Sequence, residues 1–200
     1  MIDLLTMPHL RVGLTVESAR GASPAFEVTD EDARLLARAA VRPLSAWKRL
    51  RRSLSTRARF GFVIGVRDPQ DALVLTVTKS RDSILRGPLR VGVVLADGTP
   101  VGAVEQRAPF AHLRLRDPVG TELAEAARTL PSGFDLAAPD GAVVATVDVL
   151  TLGVRQARAG GAYLRGYSLR FGDGTPVSVR ALTLGAVLCR DVQLRPSGAL

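Results

Sequence analysis

Two hundred residues include one cysteine, two histidines and two lysines. Those shortages remove whole classes of chemistry. A lone Cys189 forbids an internal disulfide and says nothing of redox compartment beyond permitting the cytosol. It sits in an apolar stretch and reads as a small buried hydrophobe rather than a reactive thiol. His9, His112 and Cys189 have no spacing that suggests a zinc site. No Gly-x-Ser-x-Gly elbow, Walker loop, Gly-x-Gly-x-x-Gly fingerprint or Asp-x-[Asp/Asn]-x-[Asp/Asn]-Gly calcium run occurs. The expectation is a protein with no metal, no cofactor and no catalytic role. Long apolar runs are missing too. No segment reaches the roughly 18–20 residues that span a bilayer as a helix, and Asp3 stands where a signal peptide carries positive charge. A cytoplasmic protein, soluble or peripheral to the inner face of the plasma membrane, is expected.

Aromatic residues make up only 4% of the chain against 46% hydrophobic, so a core must rest on Val, Leu and Ala. Nearly all positive charge is arginine. With abundant Ala and Gly, that skew reads as the codon usage of a GC-rich bacterium.

What is abundant is a turn signal flanked by β-like runs. Leu10–Glu17 opens the series. Five hairpins follow: Ala25–Thr29 with Ala33–Ala40, Arg59–Arg67 with Ala72–Thr78, Leu89–Ala96 with Thr99–Glu105, His112–Arg116 with Glu122–Ala127, and Phe134–Ala138 with Ala142–Val149. Ala162–Phe171 closes it, for about twelve strands. Asp97-Gly98, Asp140-Gly141 and Asp173-Gly174 suggest tight turns of type I′, in which both central residues need φ > 0. That turn role explains these three aspartates better than catalysis does. Ala33–Ala40 is ambiguous, since its propensity equally suits a helix. In His112-Leu-Arg-Leu-Arg116 the polar residues share one face and the leucines the other, so His112 is expected at the surface.

The series ends in Pro176-Val-Ser-Val-Arg-Ala-Leu-Thr-Leu-Gly-Ala-Val-Leu-Cys-Arg-Asp191. Pro176 suits a first helical turn, and Arg190 suits the C-terminal end of a dipole. From Val177 to Cys189 only Ser178, Arg180 and Thr183 are polar, so the helix is apolar on nearly every face and must be enclosed. Twelve antiparallel strands leave costly edges unless they close, and closure leaves an interior too wide for side chains alone. The two requirements meet in a mainly β fold: a closed antiparallel β-barrel of about twelve strands around a hydrophobic C-terminal helix over residues 176–190. One domain of 200 residues is expected, with a core over 10–194.

One stretch interrupts the repeat. Residues 42–59 hold Arg42, Lys48, Arg49, Arg51, Arg52, Arg57 and Arg59 and no acid, which accounts for most of the formal +8. Wound as a helix, Leu44, Trp47, Leu50 and Leu54 share one side and Lys48, Arg49 and Arg52 another, with Arg51 among the apolar set. Such a segment can lie on an anionic phospholipid surface with tryptophan at the headgroups. It can equally meet nucleic-acid phosphates, or be a solvated face or protein-partner surface whose apolar side packs on the barrel.

The order of elements resembles the scramblase-like and LURP-one-related proteins of the tubby C-terminal-like superfamily, as small bacterial members. The likeness is carried by Leu75-Thr-Val-Thr-Lys79, Ile84-Leu-Arg-Gly-Pro-Leu-Arg90, Val91–Leu95, Ala96-Asp-Gly-Thr-Pro-Val-Gly-Ala-Val104, Phe134-Asp-Leu136 with Asp140-Gly141, and Val179–Leu188. It covers residues 10 to 194. The resemblance implies a twelve-stranded barrel around a buried helix, and binding of phosphoinositides or other membrane lipids. The calcium-binding and lipidated-cysteine segments of eukaryotic scramblases have no counterpart here, and no basic lipid-contacting residue of tubby can be placed on a particular position. The functional expectation is therefore a non-enzymatic lipid-binding barrel that uses Arg42, Trp47, Lys48, Arg49, Arg51, Arg52, Arg57 and Arg59. A cytoplasmic protein-interaction or nucleic-acid-binding module is the alternative.

Overall fold

The computed structural model describes residues 4–15, 25–41, 62–79, 89–106, 112–127, 132–151 and 165–194. They form β1 (His9–Leu14), β2 (Ala25–Thr29), β3 (Leu35–Val41), β4 (Phe62–Arg67), β5 (Leu73–Lys79), β6 (Leu89–Leu95), β7 (Pro100–Gln106), β8 (Leu113–Arg116), β9 (Glu122–Ala126), β10 (Gly133–Ala137), β11 (Val143–Thr151), β12 (Arg165–Phe171) and helix α1 (Val177–Leu194). Every strand pairs antiparallel with its neighbours in the chain, and β1 pairs with β12 through Leu10↔Leu169 and Val12↔Tyr167. The sheet is a closed barrel with no free edge. Ala33–Ala40 resolves in favour of a strand: β3 is hydrogen-bonded to both β2 and β4, and that pairing overrides helix propensity.

All five hairpins share one turn. In 30–34, 68–72, 95–99, 117–121 and 138–142, the first residue's N–H donates to the carbonyl four residues on. The N–H three residues on donates back to the first carbonyl, and these ten bonds lie between 2.8 and 3.3 Å. Only the fourth residue has positive φ: Ala33, Asp71, Gly98, Gly120 and Gly141. This is a type I turn followed by a left-handed bulge residue, not the type I′ turn expected from Asp-Gly, because Asp97 and Asp140 keep negative φ. A register shift in each of the five strand pairs marks the bulge. The three Asp-Gly pairs all lie in turns, as expected: Asp97 Oδ1 accepts from Thr99 N–H, Asp140 Oδ1 from Ala142 N–H, and Asp173-Gly174 form a turn closed by Thr175 N–H to Gly172 O. At the third, Gly174 has positive φ in the turn that leads from β12 to α1.

Inside the ring lies α1. Val179, Ala181, Leu182, Leu184 and Val187–Cys189 are all buried to 2% exposure or less. Its polar Thr183 is fully buried but satisfied, the hydroxyl donating to Val179 O at 2.8 Å. The helix packs mainly against β5–β8 and β12. The strands beyond it, β1–β4, point larger side chains inward: Leu10, Phe26, Leu36, Phe62 and Ile64. The helix runs four residues beyond the expected Arg190, so Arg190 is not its terminus.

Candidate functional site

Alternation of short and long connections gives the barrel two unlike rims. The five tight turns, the β12–α1 turn and the start of β1 lie at one end. The chain leaves and re-enters for every longer connection (16–24, 42–61, 80–88, 107–111, 128–131 and 152–164) at the other. Arg42, Trp47, Lys48, Arg49, Arg51, Arg52, Arg57 and Arg59 all lie outside the described residues. Their flanks do not: Val41 and Phe62 are the last and first residues of adjacent strands at the long-connection rim.

The tight-turn rim is sealed. Arg180, the charge of α1 that the sequence marked, is 8% exposed. Its guanidinium donates to Thr175 O at 3.0 Å, Met7 O at 2.5 Å and Thr6 O at 3.3 Å, and stacks 5.0 Å from the Phe171 ring centroid. Carbonyl dipoles and an aromatic face, rather than a carboxylate, solvate this buried cation. The bonds tie residues 6–7 to the helix, and the neighbouring Leu4 and Leu5 join the core. Acids crowd the surrounding turns: Asp30, Glu31, Asp32, Asp68, Asp71, Asp97, Asp117, Asp140 and Asp173, with Arg34 the one basic residue among them.

At the long-connection rim two more cations sit over rings. Lys79 Nζ lies 5.9 Å from the Phe62 centroid and the Arg190 guanidinium 5.6 Å from that of Phe134. Burial lowers the Lys79 pKa, with a smaller opposing pull from Cys189. Burial likewise pushes the Cys189 thiol far up, opposed by Lys79. That thiol therefore stays protonated and unreactive, as its place in the apolar run suggested. Val91, Leu113, Phe134, Cys189 and Arg190 enclose about 10 Å³, space for one water at most.

The outer wall carries a charge ladder that crosses four strands. Glu105 takes Arg90 at 3.7 Å and Arg116 at 3.2 Å; Glu122 takes Arg116 at 3.7 Å and Arg114 at 3.4 Å; Glu125 takes Arg114 at 3.5 Å and His112 at 3.2 Å. His112 is thus a half-exposed surface residue, and the wet face expected for His112, Arg114 and Arg116 is the one observed.

Two arrangements were invisible in the sequence. In the first, His9 Nδ1 is hydrogen-bonded to the Glu31 carboxylate, and Nε2 faces Ser168 Oγ at 2.6 Å. The order Ser–His–acid is that of a nucleophile relay, but Ser168 is 9% exposed and its backbone is paired on both sides, to Arg11 and Asp148. The trio joins β1, β12 and the β2–β3 turn. No signal spans the 159 positions between His9 and Ser168. The second is an exposed pair of arginines, Arg38 and Arg67, directly opposite each other on β3 and β4. Only the strand register reveals it.

No family model matches the chain, and no curated protein does. Among solved structures, the X-ray structure of the Arabidopsis thaliana protein AT5G01750, of the LURP-one-related family, superposes with a TM-score of 0.55 over 94% of each chain at 13% identity. The likeness is one of fold. It agrees with the twelve-stranded barrel and terminal helix expected from the order of strands and turns. Among the described residues no helix is long and apolar enough to cross a membrane, and no three His, Cys, Asp or Glu side chains converge as a metal would require.

Proposed function

We propose that the protein is a non-enzymatic barrel that docks reversibly on anionic phospholipid through the basic segment 42–59, peripheral to the inner face of the plasma membrane. One observation carries this reading, the partition of charge. The described barrel holds 12 of the 27 Lys and Arg but 16 of the 19 Asp and Glu, a net −4 on a protein of formal charge +8. The excess of positive charge therefore belongs to the remaining stretches, and the largest share to residues 42–59. That segment is anchored at Val41 and Phe62 on the rim away from the acidic turns.

The strand ends that carry the basic segment stand a strand's length from the acidic turns. Strands of six or seven residues rise about 20 Å along their own axis and roughly 15 Å along a tilted barrel. That exceeds the screening length of about 8 Å at physiological ionic strength, so each rim acts on its own surroundings. Each basic residue near an anionic leaflet contributes about 1 kcal/mol, so three or four of the seven suffice for reversible attachment.

Co-sedimentation with neutral and anionic vesicles tests the reading. Wild type binds only anionic vesicles, Trp47→Ala binds more weakly, and a variant with Lys48, Arg49, Arg51 and Arg52 changed to Gln does not bind. Equal binding to neutral vesicles, or retention by the fourfold variant, defeats it. Binding to nucleic acid with a steep salt dependence and indifference to Trp47→Ala would move the assignment to a nucleic-acid module.

A further inference from the structure

On the outer face of β3 and β4 a cleft of about 330 Å³ runs down from the 68–72 turn, lined among others by Arg38, Ala40, Gly65, Arg67, Asp68 and Asp71. That volume falls at the lower end of the range of small-molecule sites. Arg38 and Arg67 face each other in register at its upper end. Like charges directly opposite on neighbouring strands oppose pairing, so this pair needs a reason. The nearby acids supply it only in part: Glu27 of β2 stands in register with Arg38 on its other side, but not within ion-pair distance. Asp68 Oδ1 accepts from Gln70 and Ala72 N–H within its own turn, and Asp71 is engaged by Arg67, 3.6 Å from its carboxylate and 2.7 Å from its carbonyl. Among the described residues no carboxylate lies within 4 Å of Arg38.

The floor of the cleft is Ala40 opposite Gly65. Gly102 and Gly133 must be glycine, because a Cβ there would stand 2.0 and 2.2 Å from a backbone carbonyl oxygen. Gly65 is different. Its nearest neighbour would be Leu73 Cδ1 at 3.8 Å, an ordinary contact, and its φ is not left-handed. A glycine inside a strand weakens it, and commonly marks a place where something approaches the backbone. Packing does not require glycine at Gly65, nor at Gly13 or Gly92, and of the three only Gly65 lines the cleft.

We propose that this cleft binds a phosphomonoester: the dianionic head lies between the guanidiniums of Arg38 and Arg67, and a flat body lies over the Gly65–Ala40 floor. Planar guanidiniums suit bidentate contact with phosphate oxygens, and one dianion relieves the repulsion between the pair. The site uses no residue of 42–59 and stands apart from the membrane reading. The head could come from a soluble ester or from a phosphatidic acid surface.

Amide and guanidinium NMR shifts of the intact protein test it. Inorganic phosphate, adenosine monophosphate, adenosine and phosphatidic acid vesicles are the probes. Adenosine monophosphate is expected to shift Arg38, Arg67 and the Gly65 amide, more tightly than phosphate, while adenosine does not. Arg38→Gln should weaken binding at least tenfold. Gly65→Val should do the same while raising the melting temperature, since a Cβ there meets only an ordinary contact and a β-branched residue suits a strand. Binding confined to phosphatidic acid vesicles yet lost in Gly65→Val would assign the head to lipid. Vesicle binding that survives Gly65→Val and disappears with the fourfold 42–59 variant would overturn the cleft. Absence of any shift at millimolar probe would do so too.

Discussion

Gly185 of α1 faces Val93 of β6 so closely that a Cβ on the glycine would stand 2.9 Å from Val93 Cγ2. A helix-interior glycine costs about 1 kcal/mol against alanine, and here it accommodates the approach. Gly185→Ala is expected to lower stability by about 1 kcal/mol net, because overpacking of roughly 1–3 kcal/mol outweighs the gain in propensity. Val93→Ala, destabilising alone, should become less so in the double variant. Urea denaturation of the four proteins measures the coupling, and additive effects would count against the contact.

The repeated turn gives a second expectation. Ala33 occupies the left-handed position that glycine fills in three of the other four hairpins, with φ 61°. Ala33→Gly should stabilise by about 1 kcal/mol, the cost of holding a Cβ there less the added freedom of the unfolded chain. Gly98→Ala, at φ 88°, should change stability by a similar amount in the opposite direction. A thermal melt in which Ala33→Gly is the less stable protein would contradict the turn assignment.

Cys189 should be silent. Its buried thiol ought to resist iodoacetamide in the native protein and react fully in guanidinium. The sign of its pH effect follows from its raised pKa. Above about pH 8.5 the unfolded chain gives up this proton while the folded chain keeps it. Stability contributed by the protonated thiol is present below that pH and lost as pH rises, at up to about 1.4 kcal/mol per unit. Lys79, whose pKa is lowered by burial, works in the other direction as pH climbs toward 10. Lys79→Met should therefore steepen the alkaline decline, and Cys189→Ala should flatten it. Equal slopes in all three proteins would show that neither group is buried as described.

Arg180→Met should cost about 2–4 kcal/mol, since it strips three carbonyl oxygens of a charged donor. The loss should be local first. Amides of residues 4–7 should exchange faster in the variant, while those of β5–β8 keep their protection. Uniform loss of protection would mean that Arg180 supports the whole ring rather than its mouth.

Much of this fold was legible because two periodicities alternate cleanly. Leu113 and Leu115 point in while Arg114 and Arg116 point out, and α1 is apolar all round, so a ring with a filled centre follows from pattern alone. Turn type was not legible, since Asp-Gly suits both a two-residue loop and a bulged three-residue loop; the register shift decides. The helix end was misplaced because Arg190 and Asp191 look terminal, whereas α1 continues through both to Leu194. The candidate sites fared worse. Residues 42–59 stood out by charge, but the Arg38–Arg67 pair and the His9–Ser168 contact exist only once distant strands are side by side. No local pattern encodes a partner 29 or 159 residues away.

The order of elements also constrains assembly. The pairing that closes the ring joins His9–Gly13 to Gly166–Arg170, almost the whole described chain apart, and the filler α1 follows every stave. Until α1 exists, twelve strands have a concave apolar surface and nothing to wrap. Ring closure and helix capture should thus be a single late, slow event dominated by non-local contacts. A nascent chain would spend its growth as a curved open sheet with both edges exposed, and holding that intermediate apart from its copies is the demand this architecture places on the cell.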